Sequence, residues 1–370
     1  MRKGKILIVG GYGSVGRVIS DTLGKRFPRE VIVAGRNLKR AEALSSKLNN
    51  NVIPLELDIR SVNWEDKQLN NISLVIMCID QSSTHFISQC IKRGIHYIDI
   101  TANYKFLSRI ELLGEEAKKY GSTIVLSVGL APGISNLLAK HCKTVVHDMR
   151  FADIYILLGM GEAHGDAAYR WTFEDINDQF SVKEEGKVEQ VASFEDGKKT
   201  IFSDYLGKRT AFRSNFADQH VIPRTLDLDS ASTRLCTDSP MITWLFALLK
   251  KTGGSKLLTF RIVQDYLIKF LTIFPFGSDQ YVVKVEAGSR RKKGVQYECS
   301  VSGNGEGHIT GLVAAKVAEQ MRISSFAPGV FHIEQLFEPL EFIESLGNNN
   351  LRFESNNVTH YRALNIQSVR

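Results

Sequence analysis

The segment Gly11-Tyr12-Gly13-Ser14-Val15-Gly16 constrains the fold of this chain more than any other, because of what flanks it. Before it lies the short apolar run Ile6 to Val9, and after it Val15 to Lys25 carries a helical pattern. In a GxGxxG set between strand and helix, Gly11 allows the tight turn and Gly13 lets the backbone approach a pyrophosphate. Gly16 then permits the helix to pack closely on the strand. The helix N-terminus contributes unpaired N–H donors and a partial positive charge. All six residues, Tyr12, Ser14 and Val15 included, are candidate ligands of a dinucleotide.

The next hundred residues repeat that unit. Apolar runs at Val31 to Ala34, Val52 to Leu57, Leu74 to Ile79, Tyr97 to Ile100 and Ile124 to Val128 alternate with helical patterns at Leu38 to Leu48, Thr84 to Arg93 and Phe106 to Tyr120. Alternation of this kind predicts a parallel sheet of the doubly wound, Rossmann type. Ligands of such sheets bind at the C-terminal ends of the strands. That rule selects Arg36 and Asn37, Asp58 and Ile59, Cys78, Ile79 and Asp80, Thr101, and Pro132 as further cofactor contacts. An NAD-selective protein would carry an acid at the end of the second strand. Here Gly35-Arg36-Asn37 stands there, with Lys39 and Arg40 following. An arginine fork suits a 2′-phosphate, so NADP(H) is the expected cofactor, with NAD(H) accepted if Arg36 only stacks on adenine. Tyr97 and Asp99 are read as pointing to opposite faces of their strand, so that at most one meets the cofactor.

Composition excludes several other classes. Lys and Arg number 47 against 40 acidic residues, a net charge of +7 that is interspersed rather than blocky, so nucleic acid is not an expected partner. Five scattered cysteines contain no CxxC, which predicts neither a disulfide framework nor zinc, and no metal site is expected. No apolar stretch reaches the length of a membrane span; Leu257 to Phe276 is interrupted at Arg261, Gln264, Asp265 and Lys269, as in an amphipathic helix laid against a partner surface. These features point to a reduced, cytoplasmic enzyme, expected as a homodimer.

Four blocks then show what the chain is similar to: GGYGSVG at the start, Ala34-Gly35-Arg36, Cys90 to Thr101, and Gly129 to Ala139. With weaker echoes at Gly159 to Trp171, Gly277 to Gln280, Gly311 to Ala318 and Pro328 to Val330, the sequence resembles the saccharopine dehydrogenase family in its broad sense, which includes saccharopine reductases and carboxynorspermidine dehydrogenases. The resemblance implies NAD(P)-linked chemistry at a C–N bond of an amine, imine or amino-acid substrate. It also implies a second α+β domain inserted before C-terminal helices that return to the Rossmann domain. The corresponding boundaries are 1–148 for the Rossmann domain, 149–305 for the substrate and dimerisation domain, 306–345 for the returning helices and 346–370 for a polar tail. Saccharopine reductases carry an aspartate in the matching G-x-D-P-G segment, and this chain has Ala131, which puts saccharopine itself in doubt as substrate.

In the second domain, Gly159 to Trp171 places an acid and a histidine between glycines ahead of a helical run. His164 has the acidity to move the proton that accompanies hydride transfer, and Thr101 is the second catalytic candidate. Glu162, Trp171, Gln219 and Arg234 are the candidate substrate contacts. Arg209, Arg213 and Arg224 are further guanidinium groups able to clamp a carboxylate. Two alternatives stand beside C–N chemistry: reduction of C=O or C=C on a lipid-linked substrate, with the apolar stretches at Trp244 to Leu249 and Leu257 to Phe276 facing lipid, and an NADP(H) sensor without turnover.

Overall fold

In the computed structural model the described residues are 4–61, 66–161, 170, 173, 175–203, 206–273, 277–289, 294–347 and 351–358. The chain divides into two compact units, the first made of Met1–Gly133 with Gly307–Phe337 and the second of Ile134–Glu306 with Glu338–Arg370. The expected boundary near residue 148 thus falls earlier, because the helix Ser135–Val145 belongs to the second unit.

The first unit is an α/β doubly wound domain. Its strands are β1 (Lys5–Val9), β2 (Val31–Gly35), β3 (Val52–Glu56), β4 (Ile72–Met77), β5 (His96–Asp99) and β6 (Thr123–Leu126), joined by a seventh, C-terminal strand Gly329–His332. The order is Gly329–His332, β6, β5, β4, β1, β2, β3, and every pairing is parallel. Parallel strands are covered on both faces, and β1, β2, β4 and β6 are buried almost throughout, which is why they read as continuous apolar runs. Helix α1 (Ser14–Arg26) and α2 (Leu38–Lys47) follow β1 and β2. The single helix expected over Phe106 to Tyr120 is two, Tyr104–Glu111 and Gly114–Tyr120, broken just ahead of Gly114, the weakest helix former in the run. The segment 307–337 adds a helix to this unit, Glu306–Ile323, whose Thr310 Oγ1 accepts from Leu130 N at 3.2 Å. It also adds the edge strand, which pairs with β6.

The second unit is built on another seven-stranded sheet, in the order Lys198–Ile201, Lys208–Arg213, Ser230–Thr237, Met149–Leu158, Gln280–Ser289, Tyr297–Asn304 and Arg352–Asn357. Only Ser230–Thr237 and Met149–Leu158 run parallel; the other neighbours are antiparallel. The expected polar tail is therefore partly structural, since Arg352–Asn357 closes one edge of the sheet. A hairpin, Gln179–Glu184 with Lys187–Ala192, turns through Glu185 and Gly186, both at positive φ. Helix Ser135–Val145 covers one face of the sheet and brings the thiols of Cys142 and Cys299 to 3.4 Å.

The other face carries charge. Register places Arg213, Arg234, Tyr155 and Lys284 in one row across four strands. Arg234 is completely buried, with Nη2 donating to Asp196 Oδ2 at 2.6 Å, Nε to the Asp196 carbonyl at 3.2 Å and Nη1 to Ser232 Oγ. Arg213 donates to Asp196 at 2.9 Å and pairs with Glu184, and Lys284 pairs with Glu298 at 2.7 Å and Glu286 at 3.1 Å. Burial alone would raise the Asp196 carboxyl, but the guanidinium groups of Arg234 and Arg213 outweigh it and hold the pKa below the ordinary value. Removing one partner from such a network strands the opposite charges. Arg234→Ala is expected to cost on the order of 3 kcal/mol, read as a lowered midpoint in chemical denaturation. A midpoint unchanged from the parent would show that the network contributes nothing net.

Candidate functional site

The site builds outward from the turn after β1. Gly10, not Gly11, holds the positive φ of that turn, at 83°. Gly11 lies instead at a tight packing point, its carbonyl accepting from Ser20 Oγ at 3.0 Å on α1. A Cβ on Gly16 would stand 2.3 Å from the Gly10 carbonyl oxygen, so helix and turn meet there without room for a side chain. This approach aims the first turn of α1 across the C-terminal edge of the sheet. Gly13 is its N-cap, no side chain caps it, and no acid occupies the first turn. Uncapped N–H groups and the positive end of the helix dipole are what a pyrophosphate requires.

Beside it, the end of β2 is shaped by Tyr12. Its ring lies over Gly35, where a Cβ would come within 2.5 Å of the phenolic oxygen, and that oxygen accepts from Asn37 N at 3.1 Å. Arg40 stacks on the same ring, its guanidinium carbon 4.8 Å from the centroid. Asn37 caps α2 by accepting from Arg40 N at 3.1 Å. Arg36, Lys39 and Arg40 are all exposed, and none of them forms an ion pair among the described residues. The next two strand ends are tied to each other: Asp58 Oδ1 accepts from Arg60 N at 3.0 Å, and Arg60 Nη2 reaches the Asp80 carbonyl at 3.3 Å. Ile59 and Asp80 border this wall, while Ile79 presses its Cγ2 over Gly10. Cys78 is half-buried, and its thiol is raised well above the ordinary range by burial and then by the Asp99 charge, so it is no nucleophile.

The end of β5 departs from expectation. Tyr97 and Asp99 share one face, as residues two apart in a strand must, and Tyr97 OH donates to Asp99 Oδ2 at 3.2 Å. Gln81 Nε2 donates to Tyr97 OH at 2.8 Å and to Asp99 Oδ2 at 3.2 Å, leaving its own buried Oε1 without a partner. Asp99 Oδ1 accepts from Thr101 N at 2.9 Å, which fixes Thr101 at the strand end. Burial, more than any other influence, pushes the Asp99 carboxyl up to about 7, with Asp80 adding to it and the Thr101 and Tyr97 hydrogen bonds opposing it. Pro132 is buried in the turn Leu130–Ile134 after β6.

Sequence reading also missed a buried relay at the last two strands. Ser127 Oγ lies 2.8 Å from His332 Nδ1, and His332 Nε2 lies 3.0 Å from Glu111 Oε1. No local pattern joins residues 205 positions apart. The composition is that of a hydrolytic triad, but Ser127 is wholly buried, so the relay fixes strand ends rather than meeting an acyl substrate. A cavity lined by Ser73, His96, Thr123 and Arg322 lies at the opposite, N-terminal edge of these strands, away from the site.

Two expected substrate contacts are corrected. Gln219 is fully buried and internally satisfied, with Nε2 donating to Ser214 O at 2.7 Å and Phe216 O at 3.3 Å and Oε1 accepting from Thr233 N at 3.2 Å. Arg234 is spent on Asp196 and Ser232, and Arg213 on Asp196 and Glu184. Glu162, His164 and Trp171 lie outside the described residues. Among the described residues no His, Cys, Asp and Glu cluster has metal-binding geometry, and no helix is long and apolar enough to cross a membrane.

Residues 6–125 match the family model described as the saccharopine dehydrogenase NADP binding domain, which makes NADP(H) the cofactor of the first unit. Over 145 residues the chain is 30% identical to the saccharopine dehydrogenase [NADP(+), L-glutamate-forming] of Saccharomyces cerevisiae, which covers 39% of this chain. The matched stretch amounts to 31% of that relative's length. The solved apo structure of the L-Glu-forming saccharopine dehydrogenase from Saccharomyces cerevisiae superposes with a TM-score of 0.68 over 95% of this chain and all of the other, at 16% identity, a likeness of fold.

The raised Asp99 pKa has a sign that can be tested. The folded protein retains this proton between the ordinary aspartate value of 3.8 and about 7, where the unfolded chain has released it. Its contribution to stability is therefore full at acid pH and disappears as pH rises through about 7. Asp99→Asn should gain on the parent in thermal midpoint as pH is raised across that window. Profiles that stay parallel would mean that Asp99 is ionised throughout.

Proposed function

We propose, for a chain whose residues 6–125 match the saccharopine dehydrogenase NADP binding domain, an oxidoreductase that passes a hydride between NADP(H) and a carbon bonded to nitrogen in an amino-acid- or polyamine-derived substrate. The observation that carries the NADP(H) half is the uncapped first turn of α1 beside three exposed cations at the end of β2. The C–N half rests on the family resemblance.

The cofactor, when bound, supplies or accepts the hydride, and the protein supplies orientation and electrostatics. First-turn N–H groups of Ser14, Val15 and Gly16 hold the pyrophosphate. Arg36 grips the 2′-phosphate through its planar fork, and Arg40, steadied on the Tyr12 ring, adds a second charge. Asp58, Ile59, Ile79 and Asp80 wall the adenine side. Thr101, fixed by Asp99, and Pro132 stand at the strand ends toward the reacting end of the dinucleotide. His164 is the proposed proton carrier, with Glu162 and Trp171 contacting substrate. A second reading, reduction of a C=O or C=C bond on a lipid-linked substrate, is favoured by the exposed apolar face of the helix Pro240–Thr252 and by Ala131 in place of the family aspartate.

Arg36→Ala is expected to raise KM for NADPH on the order of tenfold or more, the worth of a charge-assisted hydrogen bond pair, and to leave NADH little changed. Equal losses for both cofactors would remove Arg36 from the phosphate site. The activity itself is tested by NADPH consumption against amino acids paired with aldehydes and 2-oxo acids. Turnover with one pair is expected; tight NADPH binding without turnover by any pair would sink the C–N assignment.

A further inference from the structure

The second unit exposes an apolar surface that the proposed chemistry does not use. Helix Pro240–Thr252 reads PMITWLFALLKKT, yet Thr243 is its one buried residue. Met241, Trp244, Leu245 and Leu248, at spacings of three and four along the helix, form a stripe on one face and are between 51% and 77% exposed. The usual arrangement is inverted: the apolar stripe faces out. In the following turn and helix Phe260 is 61% and Ile262 71% exposed. Half of the exposed large apolar side chains among the described residues, eight of sixteen, fall between Met241 and Tyr266. Scattered exposed leucines need no explanation, but a clustered set with aromatic members does.

Charge selects the occupant. From Pro240 to Gln264 the chain carries Lys250, Lys251, Lys256 and Arg261 and no acidic residue. Among the described residues these four cations form no ion pair, whereas the first acid beyond them, Asp265, is neutralised by Arg170 at 2.5 Å. A two-fold interface sets the same patch against itself, and here that would bring cations against cations. An anionic bilayer surface answers both features at once. Leucine, tryptophan and phenylalanine enter the boundary between headgroups and acyl chains, and lysine and arginine stay with the phosphates. Helix and turn are too short to span and suited to lie in the interface plane.

We infer that the segment Pro240 to Tyr266 is an interfacial membrane-binding surface, which docks the second unit on anionic lipid through its apolar stripe and a rim of unpaired cations. This goes beyond the proposed reaction and holds whether the substrate is water-soluble or lipid-linked.

The test is co-sedimentation of the full chain with vesicles of equal parts phosphatidylglycerol and phosphatidylcholine, compared with phosphatidylcholine alone. Binding is expected to the anionic vesicles, to weaken in high salt, and to be far poorer on the zwitterionic ones. Leu245→Gln with Leu248→Gln, and separately Lys251→Glu with Lys256→Glu, should each lower partition on the order of tenfold or more. All four side chains are more than a third exposed, so the thermal midpoint and NADPH affinity should stay at the parent values. Absence of binding to anionic vesicles would overturn the inference, as would equal binding to both kinds. A dimer in sedimentation equilibrium that the leucine substitutions split would instead give this face to a second copy.

Discussion

Everything at the candidate site depends on how closely α1 approaches the turn that precedes it. The Gly10 carbonyl oxygen occupies the space where a side chain on Gly16 would begin. The helix can therefore start at once after β1 and point its N–H groups over the sheet edge. Were the helix held further off, Gly13 would no longer present an open first turn at the strand ends, and the positive end of the dipole would fall away from the crevice. Tyr12 depends on the same geometry. It is carried by this turn across to Gly35, where it braces Asn37 and Arg40 and so organises the cation cluster at the end of the neighbouring strand.

Much of this unit was legible because parallel strands buried on both faces leave an unbroken apolar signature, and because a phosphate-binding turn is local in sequence. What local pattern could not supply was geometry at single residues. Gly11 looks like the flexible position of the motif, but the positive φ belongs to Gly10, where Ile79 packs from another strand. Tyr97 and Asp99 share a face rather than lying on opposite ones, because the period of a strand is two, and the pair is hydrogen-bonded. Their partner Gln81 comes from the loop after β4, and the Ser127, His332 and Glu111 relay joins three separate elements. Such clusters exist only once the sheet is assembled.

The second unit was less legible for a related reason. Its sheet is mostly antiparallel with one parallel pair, and its neighbours come from distant parts of the chain: Met149–Leu158 lies between strands that begin at Ser230 and Gln280. Arg234 and Gln219 look in sequence like polar residues free to meet a ligand. In the folded unit register carries Arg234 into the row with Arg213 and Lys284, and Gln219 satisfies the backbone of Ser214, Phe216 and Thr233. Arg352–Asn357 is polar and looks like tail, but backbone pairing with Tyr297–Asn304 makes it the edge strand of the sheet.

These cases separate two uses of positive charge in one chain. Inside the second unit, Arg213, Arg234 and Lys284 are buried and matched by Asp196, Glu184, Glu286 and Glu298. Burying a cation without such partners would be prohibitive, so those residues have no charge left to offer a ligand. Arg36, Lys39 and Arg40 at the end of β2, and Lys251, Lys256 and Arg261 beside the apolar helix, are exposed and form no ion pairs among the described residues. A net charge of +7 says nothing about location, but matched cations are structural and unmatched cations keep their field for something outside the fold. Where such cations gather beside other recognition features, the described residues show two surfaces of different character. One is a compact fork-and-ring cluster sized for a phosphate group, and the other is a cationic rim around apolar side chains suited to a lipid surface.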